Sequence, residues 1–326
     1  MNRGFWEKLK KPIFVLAPMA NVTDAAFRHM IAKYGKPDVF WTEFVSVDGL
    51  VSAGKDKLLV DFWYGEEEHP IVAQVFGAKP ENFYKVGKMI RELGFDGMDI
   101  NMGCPDRAVL KQGAGGSLIK NPKLALEIIL AAKEGVGDLP VSIKTRIGFG
   151  KPVIDEWFGF LAGLELALIT VHLRTVKELS LVPAHWDLMP EIVKIIDNKS
   201  LVLGNGDVKD LDEARQKVKE SSADGVMIGR GIFGNPWLFA NKQPSLHEKL
   251  RVMVEHTKLF EKKFVNIPIG AKSFEVMKKH YKAYVTGFDG AKELRMQLME
   301  AKNSDEVKKI VEVFTKDAMI ASAINR

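Results

Sequence analysis

A single cysteine, Cys104, stands in 326 residues, so an intramolecular disulfide and any cysteine-rich metal site are excluded. A chain of this length buries a core large enough to need neither. Long hydrophobic runs are missing too. The longest, residues 158–171, is interrupted by Glu165 and falls short of a membrane span. The apolar stretch that follows the charged N-terminal residues, Ile13 to Ala17, is too short for a signal-peptide core. No low-complexity tract occurs. The composition, 46% hydrophobic and 27% charged, is that of an ordinary globular protein. A soluble, cytoplasmic protein is expected, with no membrane contact and no bound metal, and the lone thiol fits a reducing compartment.

Net charge is small but unevenly placed. Residues 245–326 hold 16 Lys and Arg against 11 Asp and Glu, while the first 244 residues hold 31 of each, so the whole +5 lies at the C-terminal end. Such an excess is often only a solvated face, and it also suits a polyanionic partner.

What the chain does have is alternation. Short apolar runs at 13–17, 38–43, 70–76, 97–101, 140–145, 167–172, 200–204 and 224–229 read as strands. Amphipathic segments separate them, for example 24–34, 80–93 after Pro80, and the stretches after Pro122 and Asp210. Eight strand–helix units in roughly 220 residues predict a parallel (β/α)₈ barrel, with a doubly wound open sheet, which seldom has eight consecutive regular units, as the alternative. Past Trp237 the strand pattern stops. Ser245 and Glu248 have capping-box spacing, and helices are expected over about 246–264, 270–285, 289–300 and 304–321. The expected division is a barrel domain over 1–240 and a helical domain over 241–326.

In a barrel, reactive side chains collect where strands end. The first predicted strand ends in Pro18-Met19 and the other seven in polar, basic or glycine residues: Thr42-Glu43, Gln74, Asn101, Lys144-Thr145-Arg146, His172-Leu173-Arg174, Asn205-Gly206-Asp207 and Gly229-Arg230-Gly231. The last two groups suit an anion, because small residues let backbone N–H groups close on it and Arg230 adds a charged fork. They also suit two tight turns with no ligand. Lys144 could stabilise negative charge developing on a bound ring, and His172 and Gln74 could hydrogen-bond a heterocycle. A set with no carboxylate cluster fits a phosphorylated, flat, electron-accepting cofactor, for which flavin mononucleotide is the natural candidate.

Cys104 has three readings: a buried small hydrophobe, a nucleophile, or a general acid. Its place between Gly103 and Pro105, just past a strand, argues for a loop. A thiol with its ordinary pKa near 8.5 is protonated at neutral pH and can donate a proton. The glycine-rich tail at residues 113–116 reads as leaving room for a bulky polymer.

Taken together these motifs resemble the tRNA-dihydrouridine synthases, flavin-dependent oxidoreductases of tRNA processing. The resemblance rests on Ala17-Pro18-Met19-Ala20, Thr23-Asp24, Phe27-Arg28, Asn101-Met102-Gly103-Cys104-Pro105 and Gly113-Ala114-Gly115-Gly116-Ser117-Leu118. It continues through Lys144-Thr145-Arg146-Ile147-Gly148, Asn205-Gly206-Asp207, Gly229-Arg230-Gly231 and Asn235-Pro236-Trp237. One departure is Leu173, where the family usually has a small residue.

The resemblance implies FMN held by Pro18, Met19, Gln74, Lys144, His172, Asn205, Asp207, Gly229 and Arg230, with NADPH as reductant. It implies Cys104 as the proton donor, Asn101, Arg146 and Arg174 near the target base, and tRNA bound by the helical domain and by rim bases such as Arg107 and Lys111. A monomer is plausible. Two other readings stay open: a small-molecule flavin oxidoreductase of the dihydroorotate or dihydropyrimidine dehydrogenase type, and an RNA-binding barrel without catalysis.

Overall fold

The computed structural model describes residues 3–267 and 272–324. Nine strands form one sheet: β1 (Ile13–Leu16), β2 (Phe40–Trp41), β3 (Val45–Ser46), β4 (Ile71–Phe76), β5 (Gly97–Met102), β6 (Val141–Arg146), β7 (Leu168–His172), β8 (Leu201–Asn205) and β9 (Gly225–Ile228). All pairings are parallel, in the order β1-β9-β8-β7-β6-β5-β4-β2, with β3 also on β4. One bridge, Val15 to Val39, brings β1 back beside β2 and nearly closes the barrel. All eight expected strands are present; the second, expected over 38–43, is only β2, and a further short strand, β3, follows it beyond Thr42-Glu43-Phe44.

Period-two alternation divides each strand between two environments. On β5, Met98, Ile100 and Met102 are buried on the face toward the helices, while Asp99 and Asn101 alternate with them. The lower interior is apolar: Ile13, Val15, Trp41, Val72, Leu168, Leu203 and Met227 form one cluster, to which Trp6 belongs. The Trp6 ring lies 5.7 Å from that of Trp41. Thus the short 3₁₀ turn Gly4–Lys8, a stretch without an assigned structure in the sequence reading, seals the end opposite the strand tips.

By contacts the chain divides into two compact units, residues 1–23 with 37–231, and residues 24–36 with 232–326. The first is the barrel. The second joins the helix Ala25–Gly35 to the C-terminal helices Leu246–Phe260, Met277–Tyr284, Ala291–Glu300 and Ser304–Ile324. Asp24 caps the first of these, accepting from the N–H groups of Ala26 and Phe27. The Phe27 ring stacks at 5.0 Å on His256 and lies 4.8 Å from His280, all three side chains fully buried.

Of the expected capping box only the Ser245 half forms. Its Oγ accepts from Glu248 N–H at 3.2 Å, while the Glu248 carboxylate takes Lys242 instead. The expected helix start at residue 270 lies outside the described residues. Among those described, no helix is long and apolar enough to cross a membrane.

Candidate active site

The upper interior of the barrel is polar, and strand register decides which side chains meet. Gln74 pairs with Asp99, Asp99 with Ser142, Asn101 with Lys144, Arg146 with His172, and His172 with Asn205. One chain of hydrogen bonds runs through the first of these. Ser142 Oγ donates to Asp99 Oδ1 at 2.5 Å, Gln74 Nε2 donates to Asp99 Oδ2 at 2.7 Å, and Asn101 Nδ2 donates to Gln74 Oε1 at 3.0 Å. Asn101 Oδ1 then accepts from Gly103 N–H at 3.1 Å and Cys104 N–H at 2.9 Å. The loop that carries the thiol is therefore held by a strand-borne amide.

Cys104 is half-buried, and desolvation raises its pKa above the usual thiol value. The thiol stays protonated at neutral pH. Asp106, the other acid on the loop, caps the short helix Arg107–Lys111 by accepting from Ala108 and Val109 N–H groups. The glycine tail does not open the site. Gly115 and Gly116 are buried against Cys104, with Gly116 N–H donating to Cys104 O at 3.0 Å. A Cβ at Gly115, whose φ is +57°, would fall 3.0 Å from that carbonyl oxygen, and one at Gly116 would fall 2.4 Å from Val176 Cγ2. These glycines serve close packing under the cysteine loop rather than clearance above it.

Two adjoining hollows of about 320 Å³ each open at the strand tips and share Pro18, Met19, Pro105, Lys144, Arg146 and His172 in their walls. Asn101 and Cys104 line one; Asn205, Asp207, Arg174, Gly229 and Arg230 line the other. Gln74 lines neither and is fully buried beneath Asn101.

Electrostatics in the hollows are dominated by positive charge. Burial and the neighbouring Arg146 lower Lys144 to about 8, against the attraction of Asp99, and Lys144 makes no hydrogen bond or ion pair among the described residues. Burial, reinforced by Lys144 and the surrounding arginines, holds His172 well below its usual pKa, so the ring is neutral. Arg174 Nη1 donates to His172 Nε2 at 3.2 Å, which leaves the proton on Nδ1.

Both Arg146 and Arg174 are buried and largely committed to the frame. Arg146 donates to Gly103 O at 2.8 Å, Thr175 O at 2.9 Å and Leu179 O at 3.0 Å, which ties the cysteine loop to the loop after β7. Arg174 donates to Val182 O at 2.6 Å and to Asp207. Asp207, held below the usual carboxylate range chiefly by Arg174, also binds Arg230 at 2.8 Å and Ala184 N–H at 2.9 Å. Leu173 is fully buried, and its N–H donates to Asn205 O at 3.0 Å.

The family model described as dihydrouridine synthase matches residues 15–320. The chain belongs to the dihydrouridine synthase family. It is 42% identical over 324 residues to a protein named "Probable tRNA-dihydrouridine synthase 2" from Bacillus subtilis, covering 96% of this chain and 97% of the relative. A "Probable tRNA-dihydrouridine synthase" from Staphylococcus aureus is 40% identical, with 96% of both chains covered. Among solved structures, morphinone reductase shares the barrel fold at a TM-score of 0.54 and 13% identity, over 74% of this chain and 87% of that one.

For this dihydrouridine synthase family member, the structure brings together Cys104, Asn101, Pro18, Met19, Lys144, His172, Asn205, Asp207, Gly229 and Arg230 around the hollows. Sequence reasoning passed over Asp99 and Ser142, which sit beneath them. The available signal was a carboxylate two residues before Asn101 on the same strand face, inside an otherwise apolar run.

Proposed function

We propose that this protein is an FMN-dependent, NADPH-using tRNA-dihydrouridine synthase. The observation that carries the reading is Cys104, a protonated thiol at the edge of a cationic hollow, in a chain of this family.

The residues present fit a flavin. Pro18 and Met19 give an apolar wall for a flat ring, and the Asn205–Asp207 and Gly229–Arg230 turns carry small residues and an exposed guanidinium suited to a phosphate. Lys144, without a partner among the described residues, and neutral His172 would face the ring edge. Gln74 would act from below through Asn101. When bound, FMN reduced by NADPH supplies the hydride that goes to C6 of a uridine.

The chain's own contribution is the proton. Cys104 Sγ donates it to C5, which completes addition of one hydride and one proton across the C5–C6 double bond. Arg146 and Arg174 keep the loops around the base in place and lend positive charge to the hollow. The uridine must leave its stack to reach this depth. Affinity for tRNA would come from the basic helical unit and from rim bases. These include exposed Arg107 and Lys111, and Lys120, Lys151 and Lys177, which surround Phe149 in a hollow of about 550 Å³.

Dihydrouridine mapping of tRNA from cells with and without the gene tests the reading. One or more uridines should lose the modification in the deletion and regain it with the purified, yellow protein and NADPH. A purified protein that stays colourless with added FMN, or an unchanged map in an organism lacking other family members, would overturn it.

A further inference from the structure

Asp99 is fully buried in the barrel, belongs to no wall of the hollows, and has no part in the chemistry above. Its partners give it a role. An ionised carboxylate can only accept hydrogen bonds, whereas a primary amide presents a donor on one side and an acceptor on the other. Facing Asp99, Gln74 must turn its Nε2 inward, as it does at 2.7 Å. Its Oε1 is then left facing strand β5, where Asn101 Nδ2 donates to it at 3.0 Å. Asn101 in turn has its Oδ1 aimed at the N–H groups of Gly103 and Cys104, at 3.1 and 2.9 Å. Ser142, donating at 2.5 Å, satisfies the other Asp99 oxygen.

We propose that Asp99 is a positioning residue that sets the orientation of the Gln74 and Asn101 amides and thereby holds the Cys104 loop in place. Neither amide has this preference by itself. Gln74 could flip at little cost were both its neighbours permissive. If its Nε2 then faced Asn101, however, Asn101 would have to present Oδ1 to it and turn its NH₂ onto two backbone donors, losing both bonds and releasing the loop. Asp99, acceptor-only, fixes the chain from below in the one sense that matches the two backbone donors above, and it is the only side chain of the relay that can do so. That the loop presents a proton donor rests on the function proposed above; the relay itself does not.

The same arrangement predicts a pH dependence. Burial raises Asp99 to about 6, against the hydrogen bonds from Ser142 and Gln74 and the charge of Lys144 on the neighbouring strand. Once protonated, Asp99 offers its own donor, Gln74 is free to turn, and the loop loosens as pH falls through about 6.

Cys104 is the only cysteine, so a thiol reagent reports on this loop alone. The full-length protein, without added FMN or tRNA, is reacted with a dipyridyl disulfide between pH 4.5 and 8.5. In the wild type the rate should fall tenfold per pH unit down to about 6 and then less steeply, because loosening exposes the thiol while its ionisation declines. In Gln74→Met the relay is cut. The rate at pH 8 should rise at least fivefold and the bend near pH 6 should vanish.

Asp99→Asn keeps size and removes the obligate acceptor. It should raise the rate several-fold, also without the bend, and the double variant should react no faster than Gln74→Met alone. Rates in both single variants within twofold of wild type, or a bend that persists in Asp99→Asn, would overturn the proposal. Thermal melts within a few degrees of wild type serve as the folding check, and Ser142→Ala, which touches neither amide, replaces Asp99→Asn if that variant fails it. A Ser142→Ala variant that shifts the bend supports the relay, and one that leaves rate and bend untouched counts against it. Loss of dihydrouridine formation is read separately. A protein that never makes dihydrouridine refutes the enzymatic reading and leaves the thiol result standing.

Discussion

At the scale of the residue, the site depends on what burial does to titratable groups. Desolvation keeps the Cys104 thiol protonated, which suits a proton donor and argues against a thiolate nucleophile. Replacing Cys104 by Ala should leave NADPH-dependent reduction of bound flavin intact and lower uridine reduction by about 10²- to 10⁴-fold, measured as dihydrouridine formed per turnover of reductant. Full activity in that variant would remove the thiol from the mechanism. Arg230, exposed but held by Asp207, tests the anion end. Arg230→Ala gives up a charged hydrogen-bond donor, which is worth about 1.5–3 kcal/mol when its partner is charged. Flavin affinity, followed by fluorescence titration, should drop by about ten- to a hundredfold. An unchanged dissociation constant would mean the phosphate lies elsewhere.

At the scale of the element, the strand tips and the helical unit respond differently to solution conditions. Lys120, Lys151 and Lys177 come from three segments, yet converge around Phe149, whose ring lies 4.1 Å from Lys120 Nζ. The β6 loop that carries Lys151 is fixed to the Lys177 segment by Val176 N–H to Gly148 O and Lys177 N–H to Phe149 O, both 2.9 Å. Changing all three lysines to alanine should lower the slope of log affinity against log salt for tRNA by up to about 2, on the single-strand scale of about 0.7 per phosphate. A slope equal to wild type would take RNA away from this hollow.

In the helical unit, His256 and His280 are buried with their rings 4.7 Å apart. Burial lowers His280 to about 3 and His256 well below 6.5. The unfolded chain therefore takes up protons below pH 6.5 that the folded unit refuses until about pH 3, and stability should fall as pH is lowered across that window. His280→Phe should move the acid-unfolding midpoint of this unit downward, followed by circular dichroism. An unmoved midpoint would show that the ring does not carry the acid sensitivity.

At the scale of the whole molecule, the two units interlace along the chain. The helix Ala25–Gly35 follows β1 directly, yet belongs to the compact unit of residues 232–326. Deleting residues 245–326 would strip Phe27 of His256 and His280 and leave an apolar helix face bare, so a truncated barrel should aggregate rather than behave as a clean catalytic fragment. Within the intact chain, Phe27→Ala should cost about 3–5 kcal/mol of helical-unit stability. A loss below ~1 kcal/mol, measured by urea unfolding of the full-length variant, would show that Phe27 is not an anchor.

Much of this protein could be read from its residues in order. Eight apolar runs at regular spacing called for parallel strands, because helices between strands must return the chain to the same end of the sheet, and eight regular units favoured a closed barrel over an open doubly wound sheet. With that, the placing of reactive groups at strand tips followed, and Cys104, Lys144, His172 and Arg230 were legible by position alone. The doublet around Thr42-Glu43 was not, since the contiguous apolar run Val39-Phe40-Trp41 does not show where pairing to β4 lapses or that it resumes at Val45. Nor could sequence tell that buried Arg146 and Arg174 donate to loop carbonyls, or that Gly115 and Gly116 pack beneath the thiol. Those outcomes depend on segments brought together from distant parts of the chain. Periodicity along one strand chose which side chains face inward, and that is a local property set by a backbone repeat of two. Which inward side chains touch is set by register between strands, a property of the closed barrel alone. For that reason the sequence determined the barrel and its cysteine, and only the tertiary structure joined Asp99, Gln74 and Asn101 into the support beneath it.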